Sequence, residues 1–89
     1  MYDIRITTNG NPDYGQYLPP TTPVILVAET FSGLQQKIQA YQLEHDLGGG
    51  NWTNPIACKD GQPLGYVSYN LRLWVVTDKG VEVEVVVAS

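Results

Sequence analysis

Residues 31–50 read FSGLQQKIQAYQLEHDLGGG, and the predicted fold is built around this segment. Apolar and aromatic side chains recur in it at spacings of three and four, the period of one face of an α-helix. Those side chains are Phe31, Leu34, Ile38, Tyr41 and His45. Ser32 and Gln35 predict a capping box at its start, and Gly48 predicts a left-handed residue that ends it. A helix of about fifteen residues with one apolar stripe needs a sheet to pack against.

Strand patterns lie on both sides of the predicted helix. Residues 2–8 alternate apolar and polar side chains, which is typical of a half-buried strand. Residues 24–28 form a short apolar run, which predicts a central strand buried on both faces. After the helix, Asp60-Gly61 indicates a hairpin. The strands predicted there are residues 56–58, 65–69, 71–76 and 81–87.

This order of elements predicts a two-layer α+β fold, with one helix packed on a mostly antiparallel sheet of about five strands. A chain of 89 residues supports a single domain, residues 1–89. Residues 11–23 contain four prolines and are predicted to form a long loop, since proline fixes φ and removes an amide donor. Residues 77–89 are predicted to form a C-terminal hairpin strand.

Composition excludes several classes of function. Charged residues make up 16% of the chain, and nine acidic against five basic side chains give a net charge of −4. With no basic excess to neutralise phosphates, we expect no nucleic-acid partner. No apolar run approaches the roughly 20 residues of a membrane span, and no signal-peptide pattern is visible. Because Cys58 is the only cysteine, no intrachain disulfide is possible, and we expect a cytoplasmic protein.

Residues that could carry catalysis are few. His45 is the only histidine, and with its acidic neighbours it could act as a general base. We favour the simpler interpretation, a helix C-terminal residue whose positive charge suits the helix dipole. Ser68 and Cys58 lack the motifs that accompany nucleophiles. We therefore expect a non-enzymatic protein without a cofactor or a metal site.

A second group of residues indicates molecular recognition. If residues 66–74 formed one unbroken strand, alternate residues from Tyr66 to Trp74 would share a face that combines aromatic, amide and guanidinium groups. Such residues concentrate in binding hot spots. The predicted recognition face comprises Asn51, Trp52, Tyr66, Asn70, Arg72 and Trp74. For the two tryptophans taken alone, we favour the other interpretation, that both complete the core under the helix.

Two stretches, LGGGNWT at residues 47–53 and GYVSYNLRLW at residues 65–74, resemble a signature of small bacterial and phage proteins that have no assigned activity. The resemblance covers about half of the chain, residues 31–74. This chain departs from the pattern at Asn54-Pro55 and at Leu71, where the pattern has glycine, and it continues past Trp74 with a further hairpin. The resemblance implies a context of phages and mobile elements, in which small acidic proteins act as inhibitors of host proteins.

Two hypotheses of function follow. The first is a small acidic interaction module that binds a protein, specifically a phage or mobile-element inhibitor of a host defence protein, similar to anti-CRISPR proteins. The alternative is a protein that sequesters a small molecule or nucleotide, with Asn51, Trp52, Asn70 and Arg72 around a pocket near the glycine run. Residues 81–87, apolar on one face and terminal, also predict a homodimer contact.

Overall fold

The computed structural model describes residues 1–15 and 17–87. One helix packs on one face of a six-stranded antiparallel sheet, so the predicted α+β fold is confirmed. Each of the six segments predicted as strands contributes one strand, where a sheet of about five was expected. The elements are β1 (Tyr2–Ile6), β2 (Val24–Ala28), α1 (Phe31–Glu44), β3 (Ile56–Lys59), β4 (Gln62–Val67), β5 (Leu73–Val76) and β6 (Glu82–Val85). The strand order is β2-β1-β3-β4-β5-β6. Residue 16 of the predicted loop and residues 88–89 of the predicted hairpin segment lie outside the described residues.

The core lies between α1 and the inner face of the sheet. The predicted helix stripe is buried except for His45, which is the exposed residue just past the last turn. The largest fully buried side chains are Ile4, Ile6, Leu34, Ile38, Val67 and Leu73. Burying each contributes about 1.5–3 kcal/mol relative to exposure. No helix among the described residues is long and apolar enough to cross a membrane.

The start of α1 differs from the sequence prediction. Thr30 has extended backbone angles, and its hydroxyl accepts a hydrogen bond from the Gly33 amide at 2.9 Å. Thr30 is therefore the N-cap, and the predicted capping box of Ser32 and Gln35 is wrong. Ser32 already lies inside the first turn, because the helix begins two residues earlier than a cap at Ser32 would require.

The end of α1 also differs. Asp46 has φ 51°, and the backbone amide of Leu47 donates to the Gln42 carbonyl at 2.9 Å. Asp46 is thus the left-handed residue that stops the helix, and the role predicted for Gly48 is wrong. Aspartate tolerates this conformation because its short polar side chain can form local hydrogen bonds. Leu47 is buried and closes the end of the core.

The prediction that residues 24–28 form a central strand is wrong. β2 lies at an edge of the sheet and, among the described residues, pairs only with β1. Ile25 is 64% exposed and Val27 is 45% exposed on the face away from α1. β3 takes the other side of β1, which leaves β2 outside. An unbroken apolar run therefore did not mean burial on both faces here.

The strands after α1 form three consecutive hairpins, and the last strand is an edge of the sheet. Asp60 (φ 50°) and Gly61 (φ 83°) make the predicted turn between β3 and β4. Residues 68–72 form a turn between β4 and β5, so β4 ends at Val67 and β5 begins at Leu73, whereas the predicted strands 65–69 and 71–76 extended into this turn. β4 begins at Gln62, three residues earlier than predicted. β6 is the other edge of the sheet, with its glutamates on the opposite face from its valines, as predicted.

Candidate functional site

The outer face of the sheet, on the side away from α1, carries a row of side chains across four strands. Strand register places Ile56 opposite Tyr66, Tyr66 opposite Trp74, and Trp74 opposite Glu84. Directly opposite residues in antiparallel strands share a face and contact one another. Val67 and Leu73, the neighbours of Tyr66 and Trp74 along their strands, point into the core. The row therefore lies on the surface that α1 leaves uncovered.

Residues of the β4–β5 turn extend this row. The Trp74 indole Nε1 donates to the Ser68 hydroxyl at 3.2 Å, and that hydroxyl donates to the Asn70 side-chain oxygen. The Arg72 guanidinium lies 4.0 Å from the Glu84 carboxylate. We call the whole group the open-face cluster. Its members are Ile56, Tyr66, Ser68, Asn70, Arg72, Trp74 and Glu84.

Charge on the open-face cluster is accessible to a partner. The side chains of Arg72 and Glu84 are 57% and 42% exposed. An ion pair this exposed is worth about 0–1 kcal/mol, so either group can exchange it for a contact with another molecule at little cost. Partial burial and the nearby Glu82 carboxylate raise the pKa of Tyr66. The Tyr66 hydroxyl is therefore protonated, able to donate, across the physiological pH range.

Gly65 allows β4 and β5 to approach closely enough to form the cluster. Its φ is 153°, and a Cβ added there would lie 2.2 Å from the Trp74 carbonyl oxygen. Any other residue would push the two strands apart at the point where Tyr66 and Trp74 pair. The glycine therefore sets the spacing of the two aromatic side chains.

Two helix amides hold the β4–β5 turn from the other side. Gln35 Nε2 donates to the Leu71 carbonyl at 2.7 Å, and Gln42 Nε2 donates to the Tyr69 carbonyl at 3.1 Å. Sequence reasoning assigned Gln35 to a capping box and gave Gln42 no role. The available signal was their spacing of seven residues, which places two long polar side chains on one side of a helix. They fix the turn that presents Asn70 and Arg72.

Two residues of the predicted recognition face lie elsewhere. Asn51 is 5% exposed; its side chain accepts from the Gly48 amide and donates to the Asn9 carbonyl, both at 2.9 Å. Trp52 is 7% exposed and donates to the Val67 carbonyl at 2.8 Å. The interpretation that both tryptophans complete the core under the helix is right for Trp52 and wrong for Trp74, which is partly exposed on the opposite face of the sheet.

The structure thus brings together four of the six predicted residues: Tyr66, Asn70, Arg72 and Trp74. They converge although the premise of an unbroken strand was wrong. The turn at residues 68–72 folds β5 back on β4, and strand pairing returns Trp74 to the face of Tyr66. Alternation along one unbroken strand would place Tyr66 and Trp74 on one face of the sheet. Pairing across β4 and β5 places the same two residues on one face as well.

A cleft of about 370 Å³ lies between the C-terminal half of α1 and the β4–β5 turn. Its lining is rich in amides and comprises Gln39, Gln42, Leu43, Asp46, Leu47, Tyr69, Asn70 and Leu71. Asn70 is the only predicted site residue that borders it. The cleft does not include Asn51, Trp52, Arg72 or the glycine run, so it differs from the pocket that the small-molecule hypothesis predicted.

The candidate catalytic residues are scattered. His45 is exposed, with its ring 4.5 Å from the Tyr41 ring. Cys58 is half-buried in β3. Within residues 1–15 and 17–87, no three histidine, cysteine or acidic side chains group closely enough to hold a metal ion.

No protein-family model, curated protein or solved structure matches this chain. The resemblance of residues 47–53 and 65–74 to small bacterial and phage proteins therefore stands on those motifs alone. At two of the three positions where the chain departs from that pattern, Asn54 (φ 53°) and Leu71 (φ 71°), the backbone is left-handed. Glycine, which the pattern has there, adopts this conformation without strain.

Proposed function

We propose that this protein is a non-enzymatic interaction module that binds a protein partner through the open-face cluster. The observation that carries the proposal is the row of Ile56, Tyr66 and Trp74 beside Arg72 on a sheet face that α1 leaves uncovered. Tryptophan, tyrosine and arginine dominate the energetics of protein interfaces. A flat face of this composition suits a partner surface better than an enclosed ligand.

Fixed geometry supports the same proposal. The Trp74 indole is oriented by Ser68, and the turn that bears Ser68 is hydrogen-bonded to α1 through Gln35 and Gln42. A side chain that is already ordered loses little entropy on binding, so more of its contact energy contributes to affinity. Truncation of such a residue costs about 2 kcal/mol or more, roughly a thirtyfold loss of affinity.

Charge indicates the kind of partner. The chain has a net charge of −4; Glu84 belongs to the open-face cluster, and Glu82 lies beside the cluster on the same face of β6. Complementary potentials steer association and exclude wrong partners, so the partner presents an apolar patch with a basic rim. The resemblance to phage and bacterial proteins makes a host defence protein the first class to test, and inhibition in the cytoplasm is part of the proposal.

The test is capture of a partner by wild-type protein and by matched variants. Trp74→Ala and Tyr66→Ala each remove a cluster side chain, whereas Leu43→Ala removes a 76% exposed side chain on α1. The same protein should be captured from a bacterial lysate by the wild type and Leu43→Ala, and lost with both cluster variants. Circular dichroism must show that all variants are folded. Equal capture by folded cluster variants would contradict the proposal.

The second candidate function is small-molecule binding, which the cleft beside Asn70 favours. Amide side chains and the Tyr69 ring could bind a polar ligand there. A ligand present at 100 times its Kd would stabilise the protein by about 2.7 kcal/mol, which a thermal-shift panel of nucleotides and sugars detects. A shift that Asn70→Ala abolishes would support this function, and no shift across the panel would rule out the compounds tested.

A further inference from the structure

The two edges of the sheet are not equivalent, and the β2 edge is partly closed. The Asp60 amide donates to the Met1 carbonyl at 3.0 Å. Because every second residue of an antiparallel strand bonds to the same neighbouring strand, Asp3 also directs its backbone N–H and C=O groups toward β3. Val27 lies opposite Asp3 and therefore directs its carbonyl away from β1. Lys37 Nζ donates to that carbonyl at 2.5 Å. A strand that paired with β2 would have to displace this lysine.

The β6 edge is open. The Thr77 amide donates to the Val81 carbonyl at 2.9 Å, and the same alternation makes Val83 bond to β5. Glu82 and Glu84 therefore direct their backbone N–H and C=O groups outward. Among residues 1–15 and 17–87, no strand lies beyond β6. Such an edge is a template for an added strand.

Side chains on β6 specify what an added strand must carry. Glu82 and Glu84 project on the outer face of the sheet, and Val83 and Val85 on the inner face. Opposite charges on directly facing residues stabilise strand pairing, and like charges destabilise it. A second copy of β6, paired antiparallel about Val83, would set glutamate against glutamate. The edge therefore disfavours self-pairing at neutral pH and favours a strand with cations on the outer face.

We propose that β6 binds, by strand addition, a segment of a partner protein in which lysine or arginine alternates with aliphatic residues. The added strand continues the outer face next to Glu84 and the Trp74 row, so one partner contacts both surfaces. The inference rests on the proposed function only in taking the occupant to be a protein segment. The main-chain hydrogen bonds between the added strand and β6 supply affinity, and the basic side chains of the added strand supply selectivity.

The experiment titrates the protein with three seven-residue peptides while backbone amide NMR shifts are followed. One peptide alternates lysine with valine and begins with lysine, one alternates glutamate with valine, and one is the lysine peptide with the backbone amides of its two inner lysines methylated. The lysine peptide should shift residues 82–85 and bind at least about tenfold more tightly than the glutamate peptide. The methylated peptide should bind weakly, because it keeps the charge but lacks the amide donors that face Glu82 and Glu84.

A charge-swapped variant supplies the decisive comparison. Glu82→Lys with Glu84→Lys should reverse the preference, and the milder Glu82→Gln with Glu84→Gln should remove it. Equal binding of lysine and glutamate peptides, shifts at β2 instead of β6, or no binding at millimolar peptide would each overturn the inference. The capture experiment is separate: a partner lost with Trp74→Ala, with no peptide binding, would leave the proposed function standing and this inference refuted.

Discussion

Leu71 offers a direct test of how the β4–β5 turn is held. Its φ is 71°, a left-handed conformation in which a side chain on the α-carbon crowds the following carbonyl. Two substitutions remove the half-buried side chain, Leu71→Ala and Leu71→Gly. Both delete the same packing contacts, apart from one methyl group, so the difference between the two variants reports on the backbone.

The expected difference has an unusual sign. At an ordinary position a glycine variant is less stable than the alanine variant by roughly 0.5–1 kcal/mol, because glycine gives the unfolded chain more conformational entropy. At a left-handed position alanine carries a strain of about 1–2 kcal/mol that glycine does not. The Leu71→Gly variant should therefore be more stable than the Leu71→Ala variant, by about 1 kcal/mol. In a domain of this size that corresponds to roughly 4–8 °C in Tm.

Urea unfolding followed by circular dichroism measures the free energy of unfolding of both variants. Ala40→Gly, at an exposed position inside α1, is the control and should lose about 1 kcal/mol. Glycine would then stabilise at one position and destabilise at the other within one protein. If Leu71→Ala is as stable as Leu71→Gly, or more stable, the turn does not hold residue 71 in a strained conformation.

Three further results are expected. Thr30→Ala should lower the free energy of unfolding by about 1 kcal/mol, and Ser32→Ala by less than about 0.5 kcal/mol, because only the first removes a cap; equal losses in thermal unfolding would contradict this. Gly65→Ala should cost about 3 kcal/mol or more in a denaturant titration, since the added Cβ meets the facing strand at 2.2 Å; near wild-type stability would show that the strands are farther apart. The titration of Tyr66 can be followed as the difference in tyrosinate absorbance between the wild type and Tyr66→Phe, and its pKa should lie above 10.0. The Glu82→Gln substitution should bring the pKa of Tyr66 closer to 10.0. Because the pKa is raised in the folded state, the associated stability is present below pH 10.0 and is lost as the pH rises through the folded pKa; an unshifted titration would contradict the contact.

The helix could be predicted from the sequence, but its ends could not. Five side chains at helical spacing leave few alternatives, and four of them are buried as expected. The N-cap depends on where the chain leaves the extended conformation, and both Thr30 and Ser32 are residue types that cap helices. At the other end, Asp46 adopts the left-handed conformation although three glycines follow shortly after. Local propensity does not distinguish such neighbouring choices.

The position of β2 could not be predicted either, for a different reason. An apolar run such as residues 24–28 indicates burial on both faces only if both faces of the sheet are covered. One helix covers one face, so Ile25 and Val27 remain exposed. After α1 the chain returns and β3 pairs with the second side of β1. This pairing joins residues far apart in the chain, so the composition of residues 24–28 does not predict it.

The candidate site was predictable in part. Tyr66, Asn70, Arg72 and Trp74 stay together because they belong to one hairpin, whose geometry is local. The sequence does not show that Asn51 lies apart from these residues. Its side-chain amide bonds to the Gly48 amide in a 3₁₀ turn and to the carbonyl of Asn9, which is far away in the chain. Whether a tryptophan enters the core depends on its tertiary surroundings, so the sequence does not distinguish Trp52 from Trp74.

Site-specific photocrosslinking tests the central claim, that the outer face of the sheet binds a protein, most directly. A photoreactive phenylalanine analogue replaces Ile56, which is 51% exposed on that face, or Leu43, which is 76% exposed on α1. Irradiation in a bacterial lysate should link the protein labelled at position 56 to one partner, and the protein labelled at position 43 to none. Crosslinks that form from position 43 and not from position 56 would contradict the account.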